Sequence, residues 1–327
     1  MVGTLTRKYR IVGDSLSNNI LSGIMGLVVG DALGVPVEFR DREALRLNPV
    51  KDMTGYGTCN QAPGTWSDDS SMTLALLDSL KNGLHYEDIM DKFLAWYEEG
   101  AYTPHGQMFD IGIATSQALR RYKEGYNALE AGGQDEYDNG NGSLMRILPI
   151  LFYLQKEYGP DFLDYEKSFE IIHNVSGLTH SHKRSQIGCG IYITIGHYLS
   201  LGKSLEEGIS KGIEKAFNFY KSKTDFKEEL GSYSRLENPA FKDLGEDEIR
   251  SGGYVVDSLE ASLWCLLNSQ SYEEALLKAV NLGKDTDTTG AICGGLAGIF
   301  YGYDAIPESW LKKIVKRDWI EGLCEEG

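Results

Sequence analysis

The spacing of glycine constrains this chain most. Gly26, Gly30 and Gly34 recur at every fourth residue near the start, and Gly290, Gly294, Gly298 and Gly302 repeat the interval near the end. Residues four apart share one face of an α-helix. Each glycine inside a helix costs about 1 kcal/mol relative to alanine, so a stripe of them needs compensation. Close backbone approach between buried helices is the usual source. The two segments are therefore predicted to be central helices packed on each other.

Helical periodicity runs through the rest of the chain. Ser70, Leu74 and Leu77 fall on one face, and Met72, Leu76 and Leu80 on the neighbouring one. Comparable patterns recur at 86–97, 111–122, 185–199, 205–220, 257–267 and 272–282. Alternating strand-like runs are rare and βαβ spacing is absent, so the fold is expected to be all-α. Polar stretches at 123–142 and 221–253 interrupt the helices. They are read as loops over one domain rather than as linkers, because acidic candidates at opposite ends of the chain have to meet. The division expected is an N-terminal extension, 1–20, followed by a single compact domain, 21–322.

The formal net charge of −16 argues against a nucleic-acid partner, which needs clustered Lys and Arg. A small anionic ligand stays compatible with it, since bound cations invert the local field. Cys59, Cys189, Cys265, Cys293 and Cys324 are scattered and form no CxxC, the pattern of reduced thiols. Arg7, Lys8 and Arg10 are followed by Asp14, Asn18 and Asn19, which break any signal-peptide pattern. The apolar run 20–29 is too short to span a bilayer. A cytoplasmic monomer with no membrane association is the expectation.

Two acidic turns carry the chemistry. In Gly64-Thr65-Trp66-Ser67-Asp68-Asp69-Ser70-Ser71-Met72, one acidic or hydroxyl residue is accounted for as a helix cap. Adjacent Asp68 and Asp69 beside Ser67 exceed what a cap requires, and hard cations take carboxylate and hydroxyl oxygens. In Lys284-Asp285-Thr286-Asp287-Thr288-Thr289-Gly290, two alternate aspartates again open a helix. The start resembles a calcium loop, but Leu296 stands where that loop needs a bidentate Glu. Brought together, the four carboxylates would suit a pair of divalent ions; without cations they would have to face solvent.

Three further segments are candidates. GDALGVPVEF ends a glycine-striped helix and presents Glu38, which is equally readable as a surface residue after a proline turn. In Phe109-Asp110-Ile111-Gly112, Asp110 is expected to head another helix, where capping is the plain alternative. Asn139-Gly140-Asn141-Gly142-Ser143 can turn its backbone N–H groups toward an anion or form an ordinary turn. His180 and His182 alternate without a third soft ligand, a weak zinc pattern; substrate contact or local hydrogen bonding suits them better.

Taken in order, GDALGVPVEF, GTWSDDSSM, NGNGSLMRILP and GKDTDTTGAICGGLAG resemble the ADP-ribosylglycohydrolase family, with FDIG and GGYVVDSLEASLW in support. The resemblance implies an orthogonal helical bundle with two Mg²⁺ (or Mn²⁺) ions in a cleft. It implies metal ligands at Ser67, Asp68, Asp69, Asp285, Asp287 and Thr288, with Ser67 in place of the family's usual Thr. It also implies that Asn141, Gly142 and Ser143 line the ribose-phosphate pocket, with His180 and Tyr254 as further contacts. FDIG resembles the arginine-directed branch, making Asp110 the leading acid–base candidate. Glu38 matches the glutamate important in the serine-directed branch and is the second catalytic candidate, so the two together leave the acceptor open. The implied reaction is metal-dependent hydrolysis of the N-glycosidic bond between ADP-ribose and a protein side chain, foremost arginine. The substrate partner would be an ADP-ribosylated protein and the product ADP-ribose. Serine, a nucleic-acid base or a small metabolite as acceptor, and a non-catalytic ADP-ribose binder, are the competing readings.

Overall fold

The structure, a computed structural model, describes residues 2–325, with side chains from residue 16 onward. Most of the expected extension, 1–20, therefore lies outside the residues whose side chains are described. The regular elements are helices: α1 (Val2–Gly34), α2 (Arg42–Leu47), α3 (Asp68–Leu80), α4 (Tyr86–Glu99), α5 (Ile113–Lys123), α6 (Pro149–Tyr158), α7 (Glu166–Gly177) and α8 (Lys183–Ser200) are followed by α9 (Leu205–Lys221), α10 (Thr224–Leu230), α11 (Val255–Leu267), α12 (Tyr272–Asn281), α13 (Thr286–Tyr301), α14 (Glu308–Leu311) and α15 (Arg317–Glu325). Among the described residues β pairing is limited to three isolated bridges.

The glycine stripes do meet. A Cβ on Gly26 would run into the carbonyl oxygen of Gly294, one on Gly30 into that of Gly290, and one on Gly34 into the backbone of Asp287. Gly290 and Gly294 face the carbonyls of Gly30 and Gly26 in return. The pairing descends on one helix as it climbs on the other, so α1 and α13 lie antiparallel, backbone against backbone. The dispersion gained by this approach offsets the helix cost of the glycines. Within Leu16–Val37 an 18-residue segment is 94% buried in the fold, as expected for a central helix that is apolar all round. Tyr272 donates its hydroxyl to Gly26 O (2.7 Å) and Tyr192 donates to Ile292 O (3.0 Å), pinning both helices from the sides.

Three expectations need correction. Gly302 does not extend the stripe. It ends α13 with φ +86° and no atom within 4 Å of where a Cβ would stand, while its N–H donates to Gly298 O at 2.9 Å. Ser22 instead supplies the carbonyl that Gly298 approaches. The stretch 221–253 is not a loop: it folds as α10 and three 3₁₀ turns that bury Phe226, Leu230, Tyr233, Leu236 and Phe241 beneath charged neighbours. Turns this short show no helical period in sequence. Finally, Asp110 does not head α5; Gly112 takes the N-cap position and Asp110 lies outside the helix.

Candidate active site

The antiparallel packing of α1 on α13 decides where the acids go, because it sets the C-terminal end of α1 beside the N-terminal end of α13. Gly34 is the contact point, and Thr286 donates its hydroxyl to Gly34 O at 2.8 Å. One turn further, Val35, Pro36 and Val37 form a buried 3₁₀ turn that delivers Glu38. The N-terminus of α3 is tied to the same place by Asp31. Its carboxylate accepts from Ser67 N with both oxygens (3.0 Å each), and Oδ2 also accepts from Ser70 N (3.0 Å) and Ser70 Oγ (2.6 Å). Asp31 is fully buried and acts as the anchor of this turn, a role that its place in the sequence did not indicate. Its signal was an acid placed beside the glycine stripe, where only the partner helix explains it.

Ser67 caps α3 as it accepts from Asp69 N, and its Oγ donates to Asp69 Oδ2 at 3.1 Å. Thr288 Oγ1 donates to the same Asp69 oxygen at 3.3 Å, which joins the two acidic turns. Oxygens of Glu38, Asp110 and Asp287 lie within 4.8 Å of one another. Asp285 is half-buried at the other side, where its Oδ2 accepts from Asn141 Nδ2 at 2.7 Å. Thus α1, α3, the 109–112 turn and α13 bring their carboxylates to one centre, with two helix N-termini directed at it.

Burial and mutual repulsion hold these acids toward their protonated forms. Desolvation, then the charges of Asp110, Asp31 and Glu38, raises Asp68 well above the usual carboxylate range. Asp69 and Asp287 are raised in the same way, by burial first and by neighbouring carboxylates second. Burial lifts Asp31 to about 6, against the pull of its hydrogen bonds. Burial, with Asp110 beside it, lifts Glu38 to about 8. Asp110 is raised by burial, with Asp285 adding to the effect. Asp69 Oδ1 is buried and has no hydrogen-bond partner among the described residues. A buried, unpartnered carboxylate oxygen among like charges is the environment that a divalent cation satisfies. The donor set of carboxylates and hydroxyls is that of a hard-metal centre.

The facing wall is the 139–143 loop. Asn141 N donates to Gly253 O and Val255 N to Asn139 O, each at 3.0 Å, around the antiparallel bridge of Gly140 with Tyr254. Asn141 Nδ2 also donates to Ser258 Oγ (2.8 Å), so its amide is held between α11 and Asp285. A Cβ on Gly142 would stand 2.8 Å from His180 Cε1 and 3.1 Å from Thr115 Oγ1, so glycine is required there. Ser143 differs from its neighbours: it is fully buried, it accepts from Ser176 Oγ at 2.9 Å, and its Oγ lies 3.5 Å from Cys189 Sγ. Its hydroxyl points into the core. His180 is buried against the glycines of the loop, and Tyr254 is half-buried beneath the Arg184 guanidinium, 5.7 Å from the ring centre. Cys59 was also unassigned in sequence; it donates to Glu38 Oε2 at 3.3 Å from the edge of the acid cluster.

The family profile described as ADP-ribosylglycohydrolase matches residues 13–326. The chain is 33% identical over 306 residues to the ADP-ribosylarginine hydrolase Tri1 of Serratia proteamaculans, covering 93% of this chain and 77% of that protein. It is 30% identical over 312 residues to the ADP-ribosyl-[dinitrogen reductase] glycohydrolase of Rhodospirillum rubrum, covering 93% and 92%. A solved structure described as an ADP-ribosylglycohydrolase-related protein complex superposes with a TM-score of 0.77 at 29% identity, covering 96% of this chain and 98% of that one. With the profile spanning nearly its whole length and an acidic cluster built at the junction of its central helices, the chain belongs to the ADP-ribosylglycohydrolase family of glycosyl hydrolases.

Proposed function

We propose that this enzyme hydrolyses the N-glycosidic bond between ADP-ribose and an arginine side chain of a modified protein, with two Mg²⁺ or Mn²⁺ ions at the acid cluster. The observation that carries the reading is the convergence of Glu38, Asp110 and Asp287 within 4.8 Å, beside the Asp69–Thr288 contact. The arginine acceptor is supported by the name of the Serratia relative and by FDIG at 109–112. Ser67, Asp68, Asp69, Asp285, Asp287 and Thr288 would hold the metals. Bound there, divalent ions supply positive charge that orients sugar hydroxyls and acidifies a water molecule.

The chain's own groups account for the remaining requirements. As the bond from C1″ to the guanidine nitrogen breaks, positive character grows at C1″. Asp110 lies outside the helices, partly open, with burial raising its proton affinity. It would give a proton to the departing guanidine nitrogen or take one from the attacking water. Water oxygen bonds to C1″ and the water's proton ends on the guanidine, so the products are ADP-ribose and unmodified arginine. Asn141, Gly142 and Ser143 would line the pocket for the ribose-phosphate end, with His180 and Tyr254 adjoining. For Ser143 the inward hydroxyl leaves only backbone to serve a ligand.

The test is incubation with a protein ADP-ribosylated on arginine, with and without a chelator, followed by mass spectrometry. Free ADP-ribose, lost on chelation and restored by Mg²⁺, is the expected result. Release of AMP, or turnover only of serine-, base- or metabolite-linked ADP-ribose, would replace this reading.

A further inference from the structure

Beneath the glycine loop, His180 is backed by two buried polar groups, Thr179 and Arg146, to which the proposed reaction assigns no part. Arg146 is fully buried, has no carboxylate partner among the described residues, and stacks its guanidinium 4.9 Å from the Phe93 ring centre. Its Nη2 donates to Thr179 Oγ1 at 2.6 Å and to Val175 O at 3.4 Å, while Nε and Nη1 have no partner among the described residues. Thr179 Oγ1 lies 2.8 Å from His180 Nδ1, and Thr179 is itself fully buried.

Donor counting favours one direction for the second bond, because a buried hydroxyl proton left without an acceptor is costly. A guanidinium only donates, so Thr179 Oγ1 is an acceptor toward Arg146. The hydroxyl proton still needs an acceptor, and among the described residues His180 Nδ1 is the one within reach. Nδ1 then carries the lone pair, and the ring proton sits on Nε2. Burial, with Arg146 adding its charge, holds the imidazole down to about 3, so the ring is neutral across the working range. Its backbone is clamped as well: Gly133 N donates to Thr179 O (3.2 Å), Ser181 N donates to Gly133 O (2.7 Å) and His180 N donates to Ser176 O (2.9 Å). Nε2 faces the two glycines of the loop, 3.5 Å and 3.3 Å from where a Cβ on Gly140 and on Gly142 would stand, and it has no partner within the described chain.

We infer that Arg146 and Thr179 are positioning residues that lock His180 in its Nε2–H form, so that the glycine loop presents a neutral donor to an oxygen acceptor of the bound nucleotide. The choice of ligand rests on the ADP-ribose reading above; the tautomer does not. A histidine held this way selects an acceptor atom and cannot change role by taking up a proton near neutral pH.

The full chain with Mg²⁺, labelled with ¹⁵N-histidine, tests both parts. Two-bond proton–nitrogen spectra, with His180 assigned by its absence in His180→Gln, should show Nε2–H in the wild type from pH 5 to 8. Thr179→Ser should keep that pattern and Thr179→Val should lose it. A proton on Nδ1 in the wild type, or an unchanged spectrum in a folded Thr179→Val, overturns the lock. By calorimetry with ADP-ribose, His180→Gln, whose amide reaches the Nε2 position, should bind more tightly than His180→Asn, by about 5–10-fold for one hydrogen bond. Equal affinities overturn the donor role. A wild type that binds no ADP-ribose refutes the ligand reading, and the spectra then decide the tautomer independently.

Discussion

Thr288 donates its hydroxyl to Asp69 Oδ2 at 3.3 Å, joining two turns 219 residues apart in the chain, while the other Asp69 oxygen is buried without a partner among the described residues. This one carboxylate therefore marks both the meeting of the two acidic turns and the unmet demand in their hydrogen bonding. Asp69→Asn supplies a neutral side chain of the same shape. We expect it to lower turnover by more than the roughly 10–100-fold typical of an outer-shell metal partner. It should also raise the melting temperature of the chelated protein near neutral pH, because folding no longer has to protonate or desolvate that carboxylate. Kinetics and thermal melts with and without chelator measure both effects. A variant with near-normal kcat removes Asp69 from the metal centre.

Asp110 lies outside α3 and α13, which carry the proposed metal ligands. Asp110→Asn should keep ADP-ribose affinity within a few-fold while kcat falls about 10²–10⁴-fold, the range for loss of a general acid–base group. Steady-state kinetics with a calorimetric Kd distinguish this from a binding defect. A rise in KM with kcat unchanged would reassign Asp110 to substrate binding.

The acid cluster gives the metal-free protein a pH signature. Glu38 at about 8 and Asp31 at about 6 stand above the ~4.3 and ~3.9 of an unfolded chain. A raised folded-state pKa means that the stabilising contribution is complete below about pH 4 and is lost as pH climbs through 6 and then 8. In chelator the melting temperature should fall from pH 5 to pH 8.5. With saturating Mg²⁺ the fall should shrink, since the cation replaces the protons. Equal slopes in the two buffers would show that no cation binds among these acids.

Glycines in helices should divide into two groups. Gly30→Ala drives a Cβ into the Gly290 carbonyl, and backbone on both sides leaves nothing flexible to yield. We expect a loss of about 3 kcal/mol or more, at or beyond the upper end for overpacking a core. Gly322 lies within α15 with nothing within 4 Å of an added Cβ. Gly322→Ala should stabilise by about 1 kcal/mol through helix propensity alone. Denaturant midpoints for both variants decide the matter, and a tolerated Gly30→Ala would contradict the close approach of α1 and α13.

What could be read from residues alone was whatever depends on near neighbours. Helical periods at 86–97, 205–220 and 272–282 match α4, α9 and α12 closely, because burying one face of a helix leaves its mark every three or four residues. The glycine stripes announced two helices in backbone contact, since close approach is the usual compensation for their cost. The acidic turns 67–69 and 285–288 stood out because they carry more carboxylate than a cap needs.

Tertiary structure decided the relations between distant segments. Periodicity missed the helical turns of 221–253, which are too short to repeat, and whose shape comes from the surface they cover. Asp31 became an anchor only when α3 arrived beside it, and Ser143 turned its hydroxyl inward only because Ser176 and Cys189 were there to receive it. Gly302 left the stripe because α13 itself ends there, with Gly302 in a positive-φ cap. Helix formation is written in local spacing, whereas which acid faces which is fixed by how two helices lie against each other. That geometry is a property of the packed core and of no single segment.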